Sequence, residues 1–490
     1  VAVAVFLTLG CTRLQAERSA YDWALLRLDY GRQERADELR RFCGRAHALA
    51  RGAVSDPSVH SFFAINLKYA RARESGSVPA ELDAKVEELR QRFDQYYIET
   101  YFTFYDILFI DPGCRVFYTM RKESDLATTL LQTDSGSISG LAECLAARPT
   151  SEVFVDFHEY GPSGEPAAFF VEPISVSPEE GVEGWLALQC AVNKINGIFA
   201  WTETLGRTGE TFLVNAAGYM LTESNFDGSS TILRRQLDDR NVQAKFAEGA
   251  GHRTVTDYRG HVALSSFEVV DFLTTRWLAV AKLDRDEVDT EQYLQHRRYY
   301  GERLLEQLAD RPASEPAAYP HPPGSDASLR ADMDEFVRAA DGEAVHTFGI
   351  STCTGLLAAF PERFAYLAHI SPRDKVYGSD ATNLVGQMLK RIQSFDIYPS
   401  EQRRVRFAVV APHLDSVLAV TDKILEEGFL LSQIQVFCDP TAAVGAVHYA
   451  YDRDETRVVW RYADGSATVQ SPDSAVNLGL LMARAMGKEP

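Results

Sequence analysis

A chain of 490 residues is too long for a single hydrophobic core, so roughly two to four domains are expected. With 46% hydrophobic, 11% aromatic and 24% charged residues it can bury substantial cores and belongs with globular rather than disordered chains. Fifty basic residues against 69 acidic ones leave a formal charge of −19, which repels phosphate backbones and sets nucleic acid aside as an expected partner.

Residues Val1 to Leu9 form an apolar stub that begins without methionine. It reads as the end of a membrane anchor or signal segment, as a lipid-attachment run closing in Leu9-Gly10-Cys11, or as a buried strand. Residues 13 to 50, with Trp23, Leu25, Leu26 and Leu28 among many Arg and Glu, predict a long helix, which is also the expected homodimer contact; a second helical region follows at 80 to 98. Ile107 to Ile110, the turn Asp111-Pro112-Gly113, and Val116 to Tyr118 form a hairpin signature. Further strands are predicted at 152–157, 167–174, 183–192, 210–215, 253–257, 261–269 and 276–282. A long helix followed by mostly antiparallel strands gives an α+β first domain.

Thr290 to Ala309 reads as a charged helix, and Arg311 to Ser325 carries five prolines, which break helices and mark a linker. Beyond it, helices at 381–394 and 413–427 and strands at 405–411, 433–438, 445–450 and 456–461 define a separate α/β domain. The seven cysteines (Cys11, Cys43, Cys114, Cys144, Cys190, Cys353, Cys438) follow neither CxxC nor Cys/His zinc spacing, so no metal, cofactor or disulfide framework is indicated.

The run Tyr105-Asp106-Ile107-Leu108-Phe109-Ile110-Asp111-Pro112-Gly113 resembles the opening hairpin of double-Cache sensors of bacterial chemoreceptors. Asp156-Phe157, Tyr160-Gly161-Pro162-Ser163, Trp185 to Gln189, Gly206 to Val214, Met220 to Ser224 and Asp257-Tyr258-Arg259-Gly260 follow in the same order. The resemblance implies two PAS-like modules within 13–288, a distal one at about 100–192 and a proximal one at about 193–288. It implies a small-molecule ligand in the distal module, with Tyr118, Arg121, Asp156, Tyr160, Phe169 and Gln189 as lining residues. The Arg-x-Trp-Tyr element of amino-acid-binding members is missing, and Gln189 stands where they have a strand aspartate. A ligand with a free α-amino group is therefore not expected, since a buried ammonium needs an anionic partner.

In the second domain, Thr347-Phe348-Gly349-Ile350-Ser351-Thr352-Cys353 resembles the T-x-G-x-G-S-C strand of CheD glutamine deamidases, and Ala368-His369-Ile370-Ser371-Pro372 resembles their A-H-I-x-L-P element. The resemblance, over about 343–462, implies a protein-glutamine glutaminase with Cys353 as nucleophile, His369 as base and acid, and Thr347 as the group that orients the imidazole. Its substrate would be a chemoreceptor or envelope protein. An adjacent imidazolium would lower the thiol pKa. Ser351 replaces a glycine of the pattern, and the later Gly-Gly-Ala and Gly-Gly-x-Gly-Arg elements have no counterpart. The alternative is a sensor whose second domain only docks a partner, with residues 289–342 as helix and linker and 463–490 as a helical tail. The expected site of action is the extracytoplasmic, periplasmic side of the cell membrane, reached through the N-terminal segment.

Overall fold

The computed structural model describes residues 2–100, 103–131, 140–175, 181–200, 204–309, 315–320, 328–339, 343–361, 363–372 and 383–485. The chain divides into two compact units, one of Ala24–Asp284 and one of Arg285–Pro490 together with Val1–Trp23.

Helix α1 (Ala2–Ser55) stops before Pro57, whose ring cannot continue it. Asp56 then caps α2 (Pro57–Glu74) by accepting the Ser58 N–H at 2.8 Å, and α3 (Ala80–Thr100) follows. The apolar stub at the N-terminus is thus helical rather than a strand. Among the described residues no helix is long and apolar enough to cross a membrane.

The expected hairpin is β1 (Asp106–Ile110) and β2 (Val116–Thr119), followed by α4 (Gly140–Ala146), β3 (Val153–Tyr160), β4 (Glu165–Ile174) and β5 (Gly184–Ala191). These strands form one antiparallel sheet in the order β2-β1-β5-β4-β3. After α5 (Val192–Phe199) come β6 (Glu210–Asn215), α6 (Asp239–Glu248), β7 (Ala250–Thr256), β8 (Val262–Phe272) and β9 (Thr275–Asp284), a second antiparallel sheet ordered β6-β9-β8-β7.

Strand alternation gives each sheet two buried faces. Phe109, Phe117, Phe170, Leu188, Leu213 and Trp277 face the helical residues Leu39, Phe62, Phe63 and Phe93 in one core. The opposite faces are covered locally, the first by Leu141, Ala142 and Leu145 of α4 and the second by Val242 and Phe246 of α6. This part of the chain thus holds two consecutive antiparallel sheets packed on long helices.

The second unit begins with α7 (Arg285–Ala309), β10 (Glu315–Pro316), β11 (Ser328–Arg330), β12 (Glu335–Ala339), β13 (Ala344–Ile350), β14 (Thr354–Phe360) and β15 (Phe364–Ile370). It continues with α8 (Leu384–Arg391), β16 (Arg406–Val410), α9 (Leu414–Glu426), β17 (Ile434–Phe437), β18 (Val444–Ala450), β19 (Glu455–Arg461), β20 (Ala467–Gln470), β21 (Val476–Asn477) and α10 (Leu478–Ala485). Two six-stranded sheets result, ordered β10-β20-β19-β18-β13-β11 and β12-β15-β14-β16-β17-β21.

Val345, Val447, Val458 and Trp460 of the first sheet meet Leu357, Leu367, Val410 and Phe437 of the second in a sandwich core. The outer face of the second sheet packs its alternate residues, among them Leu356, Tyr366 and Val409, against α7 to α10. The segment read as helix and linker therefore supplies core elements instead: Tyr293, Tyr300 and Leu304 of α7 are buried in that helical layer, and β10, β11 and β12 extend the sheets. The tail likewise supplies β20, β21 and α10. Parts of the proline-bearing stretch, 311–314 and 321–325, lie outside the described residues.

Candidate functional site

In the first sheet, the residues expected to line one pocket lie on different faces and make different contacts. Tyr118 is buried on the helical side, within 4.9 Å of Phe62 between ring centroids, and its hydroxyl donates to Asp94. Arg121 packs on the Tyr105 ring at 4.7 Å and its Nε donates to the Tyr105 carbonyl at 3.0 Å. Asp156 accepts the Trp277 indole N–H at 2.9 Å and the Phe157 N–H at 2.8 Å, both on Oδ1, which ties β3 to β9. Burial raises its carboxyl pKa to about 6 against those two donors.

Tyr160 and Phe169 are buried on the opposite, α4-covered face, where Tyr160 donates to Asp125 Oδ2 at 2.6 Å. Gln189 is buried too, and lies across from Asp106 in the β1–β5 register. The parity of Trp185 and Ala187 puts Gln189 on the α4-covered face, and the parity of Leu108 and Ile110 puts Asp106 there.

Asp106 and Asp125 were not singled out from the sequence. Asp106 is fully buried, accepts the N–H groups of Ile107 at 2.7 Å and Arg121 at 3.0 Å and the Thr119 hydroxyl, and is raised to about 6, first by burial. Burial also raises Asp125; among the described residues Asp125 Oδ1, Gln189 Oε1 and Glu123 Oε2 have no hydrogen-bond partner. The face thus holds buried acceptors in want of donors. Gln189 and the missing Arg-x-Trp-Tyr element argued against an ammonium here; the structure adds the carboxyl groups of Asp106 and Asp125 to the same face. Asp106 could have been found from strand parity, because it shares a face with two fully buried aliphatics.

In the second unit, β15 alternates between its two faces: Phe364, Tyr366, Ala368 and Ile370 pack toward the helices, while Ala365 and Leu367 enter the sandwich core. That parity puts His369 on the inner face, level with β13. There Thr347 Oγ1 lies 2.8 Å from His369 Nδ1 and 2.8 Å from the Ala331 carbonyl oxygen. A hydroxyl has one proton, and the carbonyl can only accept it. Thr347 therefore accepts from His369 Nδ1–H, which leaves the lone pair of the neutral ring on Nε2. His369 is buried, and among the described residues its Nε2 has no hydrogen-bond partner.

Cys353 sits one residue before β14, whose Thr354 pairs with Ile370 and whose Gly355 pairs with His369. Continuing that register one residue past the strand sets Cys353 diagonal to His369, about 7–8 Å apart between backbones, and among the described residues no hydrogen bond joins Cys353 Sγ to His369 Nε2. Gly349, at φ +77°, takes the left-handed turn that glycine tolerates, within the irregular stretch between Thr347 and Ile350. Burial pushes the Cys353 thiol up, opposed by the Thr352 hydroxyl, and pushes the His369 imidazole down, opposed by Asp334 and Asp332. An adjacent imidazolium was expected to lower the thiol, but burial acts on both groups to favour the neutral thiol and neutral imidazole.

No family model matches the chain, and no curated protein matches it. Among solved structures it is similar to an extracellular ligand-binding receptor from Desulfohalobium retbaense, at 11% identity and a TM-score of 0.35, over 51% of this chain and only 39% of the receptor. It is similar to the ligand-binding domain of the Pseudomonas aeruginosa amino-acid chemoreceptor PctC in complex with GABA, at 15% identity and a TM-score of 0.33, over 55% of this chain and 99% of that domain. The ligand-binding domain of the Pseudomonas fluorescens chemoreceptor CtaA in complex with L-isoleucine matches at 13% identity and a TM-score of 0.34, over 58% of this chain and 98% of that one.

Proposed function

We propose that the chain is a ligand-sensing protein of chemotaxis or envelope signalling, working on the periplasmic side of the cell membrane, with a cysteine-dependent amidohydrolase acting on protein glutamine side chains. The observation that carries the enzymatic half is the Thr347 hydroxyl, held between the Ala331 carbonyl and His369 Nδ1, which presents Nε2 as a base. Cys353 gives its proton to Nε2 as sulfur attacks the glutamine carboxamide carbon, and backbone N–H groups near Cys353 hold the oxyanion. His369 returns the proton to the departing nitrogen, ammonia leaves, and a water deprotonated by the same imidazole cleaves the thioester to give glutamate and the free thiol. In the sensor half, the buried acceptors of Asp106, Asp125 and Gln189 support a small ligand that brings hydrogen-bond donors to the first sheet.

Ammonia release from glutamine-bearing chemoreceptor and envelope proteins tests the enzymatic half. The wild-type chain should release it, and Cys353→Ala should not. The burial of Cys353, 3% exposed, favours a second reading in which the unit only docks a partner. That reading holds if no substrate yields ammonia and Cys353 reacts with iodoacetamide no faster than a peptide thiol.

A further inference from the structure

The sheet β6-β9-β8-β7 and α6 line a cavity of about 160 Å³ that opens to solvent, separate from the acceptor-lined face of the first sheet. Its apolar walls are Phe212, Leu237, Val242, Leu278 and Val280, and its charged lining residues are Arg235, Lys245, Lys282, Asp238 and Asp257. Most of those charges are already engaged. Lys282 is paired with Glu210 at 3.0 Å and with Asp257, which Arg259 also contacts at 2.8 Å. Asp238 caps α6 by accepting the Asn241 N–H at 3.2 Å.

Two donors remain. Lys245 is 7% exposed; its ammonium donates to Ser265 Oγ at 2.9 Å and lies 5.3 Å from the Phe267 ring centroid, with no carboxylate paired to it among the described residues. Arg235 is paired with Asp227 through Nη2, while its Nε is buried and has no hydrogen-bond partner among the described residues. A buried ammonium without an anion is costly, and desolvation lowers the Lys245 pKa to about 8. Such a lysine in the wall of a cavity is poised to gain from an incoming anion.

We propose that this cavity binds a small organic carboxylate, whose oxygens take hydrogen bonds from Lys245 Nζ and Arg235 Nε while its short carbon chain lies on the apolar wall. The volume fits this class: drug-sized sites run to roughly 300–1,000 Å³, so a nucleotide is too large and a two- to four-carbon acid is not.

The test is calorimetric titration of the full-length chain, in a buffer free of carboxylates, with acetate and succinate and with the uncharged acetamide and succinamide. Saturable binding of an acid and none of its amide is expected. Lys245→Met and Arg235→Gln should each weaken that binding by about 10-fold or more, as expected for loss of a hydrogen bond to a charged group. If Lys245→Met does not fold, the more exposed Arg235→Gln carries the comparison. The proposal is overturned if neither acid binds, if the amides bind equally, or if the variants that fold bind the acids as the wild type does.

Discussion

At the scale of single residues, the Thr347 hydroxyl is the most constrained polar group of the candidate catalytic site, because both of its buried partners depend on it. Thr347→Val keeps the shape but leaves the Ala331 carbonyl and His369 Nδ1–H unsatisfied, at about 1–3 kcal/mol for each stranded group, whereas Thr347→Ser keeps both bonds. The valine variant should unfold at lower denaturant and lose ammonia release by about 10-fold or more through misorientation of the imidazole, with activity restored in the serine variant. The resemblance to the CheD motifs implied Thr347 as orienter, Cys353 as nucleophile and His369 as base; the order of the three residue types alone did not. The shared proton was not legible in the sequence, because it depends on Ala331, whose carbonyl no side-chain pattern reveals. Asp106 and Asp125 stayed hidden for a related reason, since their burial comes from cross-strand register and from a tyrosine that follows Asp125 by 35 positions.

Asp156 supports a residue-scale prediction about pH. Its carboxyl titrates at about 6 in the folded chain against 3.8 ordinarily, so between those values the native state binds a proton that the unfolded chain has released. Stability therefore falls as pH rises from 3.8 to about 6 and is level with respect to this group above that, by up to about 3 kcal/mol. Both donors to Asp156 converge on Oδ1, so an asparagine amide oxygen keeps them. Asp156→Asn should be the more stable form at pH 7, and its denaturation midpoint should decline less over that window than the wild type's. An equal decline in both would place the proton elsewhere.

At the scale of elements, the apolar strand runs were readable to within a few residues because buried sheets concentrate Val, Phe and Leu: β16, predicted at 405–411, runs Arg406–Val410, and β9, predicted at 276–282, runs Thr275–Asp284. Short strands such as β10, of two residues, carry no period to detect. Helix α7 was recognised as a helix but its role was misread, because the prolines that follow it suggested a linker while its buried stripe of Tyr293, Tyr300 and Leu304 lies at helical spacing among charges. Where β18 crosses β19, Gly445 faces Trp460, and a Cβ there would sit 2.5 Å from the ring atom Cζ3. Trp460 is fully buried and donates to Gln470 Oε1 at 2.9 Å, so the ring has little room to retreat. Gly445→Ala should cost about 1–3 kcal/mol by overpacking, seen as a lower melting temperature of the second unit.

At the scale of the whole molecule, each unit has its own cores, which is the physical condition for each to fold alone. The two-part division was readable from the change of pattern after the prolines, but the place to cut was not, because only packing shows that α7 covers the outer face of the sheet β12-β15-β14-β16-β17-β21. Tyr293, Tyr300 and Leu304 are at most 1% exposed, and uncovering three such side chains and the surface beneath them forfeits roughly 5–9 kcal/mol. That is comparable with the entire stability of a typical domain. A fragment of residues 285–490 should therefore unfold in one cooperative transition with protected amides in β14 to β16, while a fragment of 310–490, which begins after the helix, should be molten, with fast-exchanging amides and bound hydrophobic dye. Cooperative unfolding of the shorter fragment at the midpoint of the longer one would show that α7 is dispensable.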